Sequence, residues 1–237
     1  MKHPIRSSTS QATGHLVSLL ARRKLLAMAA TLPWLGAGSV RAQEGSIKIA
    51  QSTALSGQLA DLGSAMHQGA KAAFAAINAK GGVQGRTIEL ATLDDAYEVP
   101  KALANVDRFL ADSSYFALFN CMGTPMIDAM LPKVIESGIP FFAPFTGAQL
   151  SRTKTARNVF NIRASYADEA EKLVQHLSTI GIQRIGIVYQ NNSFGKEVFD
   201  SARQSMSRLK LPEAAAVTVE NNASDAGAAA AKLAEAD

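Results

Sequence analysis

The sequence predicts an α/β protein in which parallel sheets are flanked by helices. Short runs rich in β-branched and aromatic residues alternate with longer amphipathic stretches, and this order is typical of βαβ units. The first amphipathic stretch carries a face of small residues suited to packing on a sheet, namely Ala65, Ala72, Ala76 and Ala79. About 195 of the 237 residues follow a leader-like segment, which is enough chain for a sizeable core.

The first α/β unit is predicted to contain four strands and three helices within residues 43–158. Its strands are expected at 47–53, 87–93, 115–120 and 139–143, because these runs are short and rich in β-branched or aromatic residues. Its helices are expected between them, at 63–79, 101–111 and 125–136. A polar link at 151–158 ends the unit.

A second α/β unit is expected from residue 159 to residue 237. An extended segment at 159–162 is followed by a helix at 167–179, a strand at 184–189, a helix at 196–209, a strand at 215–219 and an alanine-rich helix from Asp225. The small face of that last helix needs a further strand to pack against. We therefore expect this second unit to be incomplete.

The first 42 residues have the pattern of an export signal. The basic run Arg22–Lys24 precedes an apolar run from Leu25 to Val40, and Val40–Ala42 is an A-x-A-like cleavage site. The apolar run is shorter than the roughly 20 residues that span a bilayer. Ala21–Leu26 resembles a twin-arginine leader, so either this route or the general secretory route is expected to deliver a soluble protein to the periplasm.

The net charge of +4 comes from this leader. Six of the 24 Lys and Arg residues precede the cleavage site, which leaves 18 basic against 20 acidic side chains after cleavage. The basic character of the whole chain is therefore no argument for nucleic-acid binding, and no nucleic-acid partner is predicted.

A ligand is expected at the loops that leave the carboxyl ends of the predicted strands. Three of these four loops combine a hydroxyl with a glycine: Ala54–Gly57, Met122–Pro125 and Pro144–Ala148. Glycine lets the backbone approach a ligand closely, and a hydroxyl both donates and accepts hydrogen bonds. Such loops suit a small zwitterion or carboxylate, although Ser and Thr beside Gly also form ordinary caps and turns.

Several segments follow one another in a familiar order: Leu55–Gly57, Ile77–Arg86, Asp94–Asp95, Gly138–Pro140, Arg184–Tyr189 and Phe194–Gly195. This order resembles the leucine/isoleucine/valine-binding protein family of ABC importers, and the stretch from Asn78 to Gly85 is its most specific part. The resemblance covers the whole segment after the leader. It implies a two-lobed periplasmic-binding-protein type I fold, with residues 43–158 in the first lobe and 159–237 in an incomplete second lobe.

The resemblance also implies a ligand site between the lobes. The ligand's carboxylate would be held by the loops Gly123-Thr124 and Phe145-Thr146-Gly147, while Phe194 would cover it from the second lobe. By the same likeness, the acid that meets a ligand's ammonium group lies beyond residue 237. An amino acid, an amide and an aromatic carboxylate therefore all remain open as ligands.

Two functions follow from the resemblance. The first is an extracytoplasmic receptor that binds a small amino acid, or a related carboxylate or amide, and presents it to an ABC permease in the inner membrane. The second is a periplasmic sensory or regulatory protein of the same fold. Neighbouring permease genes would favour the first function, and a neighbouring histidine kinase gene would favour the second.

The motifs do not support an enzyme, a cofactor or a metal site. The glycine-rich stretch Gly81–Gly85 follows a helix and precedes a strand, which reverses the order that a phosphate loop needs. Asp94 and Asp95 leave a strand in different directions, so they are expected to fix a loop. His67 lacks an H-x-x-x-H partner, and the single cysteine, Cys121, is predicted to be a buried thiol.

Overall fold

The structure, a computed structural model, describes residues 45–235. The predicted leader at 1–42 and its twin-arginine motif lie outside the described residues. Within the described range, no helix combines the length and the apolar character that crossing a membrane requires.

The first lobe is a parallel sheet with helices packed on it. Its strands β1 to β5 have the spatial order β2-β1-β3-β4-β5 and span Ile47–Thr53, Ile88–Asp94, Tyr115–Phe119, Phe141–Phe142 and Val159–Phe160. Its helices α1, α2 and α3 span Ala60–Ala79, Val99–Leu110 and Thr124–Ser137. All four strands and all three helices expected in this part of the chain are therefore confirmed, with small differences at their ends.

The core of the first lobe lies between the sheet and the helices α2 and α3. The amphipathic spacing of these helices turns Val106 and Phe109 of α2, and Met126 and Met130 of α3, onto the strand residue Leu118. These side chains are at most 2% exposed. A continuous apolar core therefore supports the strand ends from which the loops leave.

The second lobe is smaller. Its elements are α4, β6, α5, β7 and α6, at Tyr166–Thr179, Ile185–Gln190, Ser193–Arg208, Glu213–Val219 and Ala226–Ala234. The two strands pair in parallel, and the core beneath them centres on Val174, Met206 and Leu211. Ser165 begins α4 with a capping box that Asp168 completes. The expected strand–helix alternation is confirmed here.

The strand β5 corrects one expectation. The second α/β unit was expected to start at residue 159, but Val159 and Phe160 pair in parallel with Phe141 and Phe142 of β4. The rings of Phe142 and Phe160 also stack, with centroids 4.8 Å apart. This strand therefore belongs to the first sheet, and the elements of the second lobe begin with α4. The alternation pattern could not reveal this, because it does not specify which sheet a strand joins.

Candidate functional site

A cavity of about 410 Å³ lies between the two lobes, at the carboxyl ends of their strands. The first lobe contributes Leu59, Leu62, Tyr97, Met122, Gly123, Thr124 and Phe145 to its walls. The chain after β5 contributes Arg163, Tyr166, Glu169, Gln190, Phe194 and Val198. The lining combines aromatic and aliphatic side chains with a few polar groups, as in most small-molecule sites.

Four of the six predicted binding residues line this cavity. Gly123, Thr124 and Phe145 form part of the first-lobe wall, and Phe194 lies on the opposite side. The other two predicted residues, Thr146 and Gly147, are not in the lining. Both are buried, and they support the wall from behind.

Gly147 supports the wall by giving Tyr166 room to approach. A Cβ atom at this position would lie 2.6 Å from a carbon of the Tyr166 ring. The carbonyl of Gly147 also accepts a hydrogen bond of 2.9 Å from the Tyr166 N–H. The glycine thus positions the aromatic ring that lines the cavity.

Three hydroxyls form a cluster at the base of the cavity, and we call Thr124, Thr146 and Tyr166 the hydroxyl cluster. The two threonine oxygens are 2.7 Å apart, and the Tyr166 oxygen lies 3.1 Å from Thr124 and 3.5 Å from Thr146. The Ala148 N–H donates to Thr146 at 3.0 Å. Because every member is buried and bonded, loss of one hydroxyl leaves its partners unsatisfied.

The helix α3 begins at the cavity. Its N-cap is Gly123, whose φ of 93° lies in a region that side chains rarely adopt. No side chain caps this helix N-terminus in the described structure. The first N–H groups of a helix have no intrahelical acceptor, and the helix dipole adds partial positive charge there. The base of the cavity therefore favours an anionic group such as a carboxylate.

Aromatic rings enclose this base. The ring of Phe194 meets that of Tyr166 edge to face, with centroids 5.3 Å apart. Burial, reinforced by the nearby Tyr166 and Asp95, raises the pKa of Tyr97 to about 12, so its hydroxyl stays neutral at physiological pH. The cavity can thus offer apolar cover together with neutral hydrogen-bonding groups.

One ion pair borders the cavity. The Arg163 Nη2 atom lies 2.5 Å from Glu169 Oε1. The guanidinium carbon also lies 5.6 Å from the centroid of the Phe145 ring and 5.3 Å from that of Tyr166. These distances are typical of cation–π contacts.

Nine of the thirteen lining residues were not predicted as binding residues from the sequence, among them the polar or aromatic Tyr97, Arg163, Tyr166 and Glu169. Arg163 and Tyr166 leave the carboxyl end of β5, which belongs to the first sheet. The rule that selected the other loops would have selected this segment as well, had the strand been assigned to the first sheet.

The adjacent acids Asp94 and Asp95, at the carboxyl end of β2, fix loops, as expected. Asp94 accepts hydrogen bonds from both backbone N–H groups of Leu55–Ser56, at 2.7 and 3.2 Å. Asp95 accepts from the Ser52 hydroxyl at 2.7 Å and from the Tyr97 N–H at 2.9 Å. Burial outweighs these bonds and raises the pKa of Asp95. The pair thus connects the loops after β1 and β2 beside the cavity.

Cys121 and His67, the other residues considered as reactive or metal-binding groups, have structural roles. Cys121 is fully buried, which confirms the prediction, and burial raises the pKa of its thiol to about 12. The Nδ1 atom of His67 lies 3.0 Å from the hydroxyl of Thr92. Between residues 45 and 235, no group of three or more His, Cys, Asp or Glu side chains could hold a metal ion.

A hydrogen bond joins the lobes beside the cavity. The N–H of Gln149, in the short 3₁₀ helix Gln149–Arg152, donates to the Glu197 carboxylate of α5 at 2.6 Å. Burial raises the pKa of Glu197, and the charge of Asp128 adds to this effect. The Gln149 bond and Arg152 oppose the rise without cancelling it.

We expect Glu197 to make stability depend on pH. Because its folded pKa is raised, protonation favours the folded state, and this contribution is lost as pH rises from 4.5 through the raised value. Glu197→Gln keeps an accepting oxygen for Gln149 and removes the buried charge. Urea unfolding should show the variant gaining stability relative to the wild type as pH rises through this window. Glu136→Gln makes the same change at an exposed position and serves as the control, and a flat difference for Glu197→Gln would contradict the assignment.

Comparison with models of known protein families identifies the family of the chain. A model of the periplasmic binding protein family matches residues 46–237. The chain belongs to this family. The match includes every described helix and strand of both lobes, and it confirms the family resemblance seen in the sequence.

Individual relatives are also similar to this chain in sequence and in structure. The Leu/Ile/Val-binding protein homolog 3 of Brucella melitensis is 24% identical over 192 residues, which are 80% of this chain and 51% of that protein. A substrate-binding periplasmic protein from Ralstonia solanacearum is 33% identical with a TM-score of 0.75, over 79% of this chain and 53% of that one. A possible leucine/isoleucine/valine-binding protein from Rhodopirellula baltica is 32% identical with a TM-score of 0.73, over 83% and 53%.

These relatives confirm the fold class. The chain has the two-lobed α/β architecture of the family and spans about half the length of the relatives it matches. The relatives are named as binding proteins and not as enzymes, so the expectation that the chain is not an enzyme is confirmed.

Proposed function

We propose that the protein is an extracytoplasmic solute-binding receptor of an ABC transporter. In this proposal it binds a small amino acid, or a related carboxylate or amide, between its lobes in the periplasm and delivers it to a permease in the inner membrane. The observation that carries the proposal is the cavity between the lobes, where the start of α3 meets the hydroxyl cluster under an aromatic cover. The names of the relatives support the same solute class.

The base of the cavity would bind the carboxylate of the solute. The N-terminus of α3 supplies N–H groups and a favourable dipole, and Gly123 leaves its backbone open to close approach. The Thr124 hydroxyl can turn from its partners in the hydroxyl cluster toward a ligand oxygen, because a hydroxyl proton rotates about its C–O bond. A carboxylate would thus meet donors without a dedicated cation.

The upper part of the cavity would bind the apolar part of the solute. Phe145 comes from the first lobe, and Phe194 and Val198 come from α5 of the second. Because the two walls belong to different lobes, closure around a solute would bury its side chain and exclude water. Release would require the lobes to separate, as a delivery role needs.

A thermal-shift screen tests the proposal. The protein without its leader should be screened against amino acids, their amides and aromatic acids. Solutes that bind the native state should raise the melting temperature in a concentration-dependent way. An absence of any shift at millimolar concentration across all three classes would contradict the proposal.

The variant Phe194→Ala tests where the solute binds. It removes apolar cover from the second lobe, so solutes with large side chains should lose more affinity than glycine-sized ones. The loss for a leucine-sized side chain should be about 1–2 kcal/mol of binding free energy, because part of its surface stays in water. Phe116→Ala is the matched control, since that ring is 59% exposed and does not line the cavity. Equal losses for small and large solutes would contradict this location.

A further inference from the structure

The first sheet has two faces, and α2 and α3 cover one of them. Three cross-strand partners on β3, β4 and β5 belong to the core on that side, namely Leu118, Phe141 and Val159. Successive side chains of a strand point to opposite faces, so the residues that follow them lie on the other face, namely Phe119, Phe142 and Phe160. The ring of Phe119 meets that of Phe74 in α1 edge to face, with centroids 5.2 Å apart. The helix α1 therefore covers this second face as far as β3.

Beside α1, the second face carries exposed apolar side chains. Phe142 and Phe160 stack on each other and are still 37% and 47% exposed. Ile162, two residues further along the chain, is 82% exposed. It borders a depression of about 590 Å³ that Met66 of α1 also lines. We call Phe142, Phe160 and Ile162 the open face, because it lies next to α1 and remains accessible to solvent.

The helix α1 has an exposed apolar side of its own. Four alanines of this helix were expected to pack on a sheet, yet all of them are exposed: Ala65, Ala72, Ala76 and Ala79. The helix instead buries Gly63 and Ala70. The close approach of Gly63 to the carbonyl of Ala54 fixes which side of α1 meets the sheet. A helix side suited to packing on a sheet is therefore left without one in the described chain.

The open face and the exposed side of α1 match in size and character. Two neighbouring strands are about 10 Å wide, which is also the diameter of a helix. Small side chains let a helix approach a neighbouring surface closely, so the alanines could pack on the rings of Phe142 and Phe160. Both surfaces lie on the same side of the same sheet. A two-fold rotation about an axis alongside α1 would therefore bring each surface onto the other in a second copy.

We propose that two copies of this chain form a dimer in which α1 of each copy packs on the open face of the other. This pairing is isologous, so each contact occurs twice and the assembly closes at two copies. It goes beyond the proposed function and requires no solute.

The area of the contact favours a second copy over a partner that supplies one helix. The 20 residues of α1 form a helix about 30 Å long, so one side of it covers about 300 Å². Two such contacts, counted on both copies, bury about 1,200 Å², the lower end of the range for stable specific interfaces. A partner with a single helix would bury half of this.

Sedimentation velocity tests the proposal on the protein without its leader, which retains every described residue. In the absence of solute, the wild type should change from monomer to dimer as its concentration rises through the micromolar range. Ala76→Glu should raise the dissociation constant of the dimer at least about 10-fold, because a charge would be buried twice without a partner. Ala75→Glu is the matched control, since Ala75 is also exposed but points about 100° away around the helix axis.

A second variant tests the open face. Ile162→Ser should also raise the dissociation constant about 10-fold, because apolar contact is lost in both copies. Ile180→Ser is its control, since Ile180 is 59% exposed and lies in the second lobe, outside the open face. All four substitutions are at exposed positions, so circular dichroism should show that each variant stays folded.

Mixing the two disruptive variants tests the reciprocal geometry. In a mixed dimer of Ala76→Glu and Ile162→Ser, both changes fall in the same contact, and the other contact is intact. The mixture should therefore dimerise more tightly than either variant alone. A wild type that stays monomeric would show that something other than a second copy occupies the open face. A dimer that neither variant weakens, a mixture no tighter than its components, or growth beyond two copies would equally overturn the proposal.

Discussion

Replacing Gly63 by alanine should lower the free energy of unfolding by about 2–4 kcal/mol, because a Cβ atom there has no space. It would lie 1.9 Å from the carbonyl oxygen of Ala54 and 2.7 Å from its carbonyl carbon. These atoms belong to the backbone that follows β1, so no side-chain rotation relieves the overlap. The first turn of α1 would have to move away from the strand end.

The control for this substitution lies in the same helix. A Cβ atom added at Gly69 of α1 would meet nothing within 4 Å, so Gly69→Ala should raise the free energy of unfolding by about 0.5–1 kcal/mol through helix propensity. Urea unfolding of both variants gives the comparison. Effects of the same sign would contradict the close approach of α1 to Ala54.

Thr124→Val should weaken solute binding by about 1–3 kcal/mol, the usual range when a buried polar partner is removed. Valine keeps the branched shape but lacks the hydroxyl that faces the cavity, and it leaves Thr146 and Tyr166 without their shared partner. Calorimetry with the amino acid that gives the largest thermal shift in the screen provides the measurement. Wild-type affinity in this variant would contradict the carboxylate site.

Thr146→Val distinguishes a residue that binds the solute from one that only supports the cavity wall. Thr146 is fully buried and does not line the cavity, but it accepts the Ala148 N–H. Its substitution should therefore lower the free energy of unfolding by about 1–3 kcal/mol and change affinity less than Thr124→Val does. The opposite order of the two affinities would mean that the sequence-based assignment of Thr146 as a direct ligand contact is correct.

The strands and helices could be predicted from the sequence because their signals are local. In β1, five consecutive residues from Ile49 to Thr53 are buried, within the strand that the sequence predicts at 47–53. In α2, the spacing of Ala102, Val106 and Phe109 produces the buried face. The sequence also allowed the prediction that loops at strand ends surround a cavity, because parallel strands end at a common edge.

The candidate site was only partly predictable. Gly123, Thr124, Phe145 and Phe194 were found because they lie in recognisable loops or match the family pattern. Thr146 and Gly147 combine a hydroxyl with a glycine just as Gly123 and Thr124 do, yet they lie behind the wall. Composition predicts that a hydroxyl is available, but the direction of the side chain depends on how the loop packs against Tyr166.

By itself, the sequence determined the α/β class, the order of the elements, the family and the loops that reach the cavity. These depend on the periodicity of apolar residues and on short motifs, which are properties of neighbouring residues in the chain. Only the tertiary structure placed β5 in the first sheet, brought Tyr166 to the threonines and joined Arg163 to Glu169. Each of these contacts depends on where the chain turns after β4, and hydrophobic periodicity carries no information about such a path.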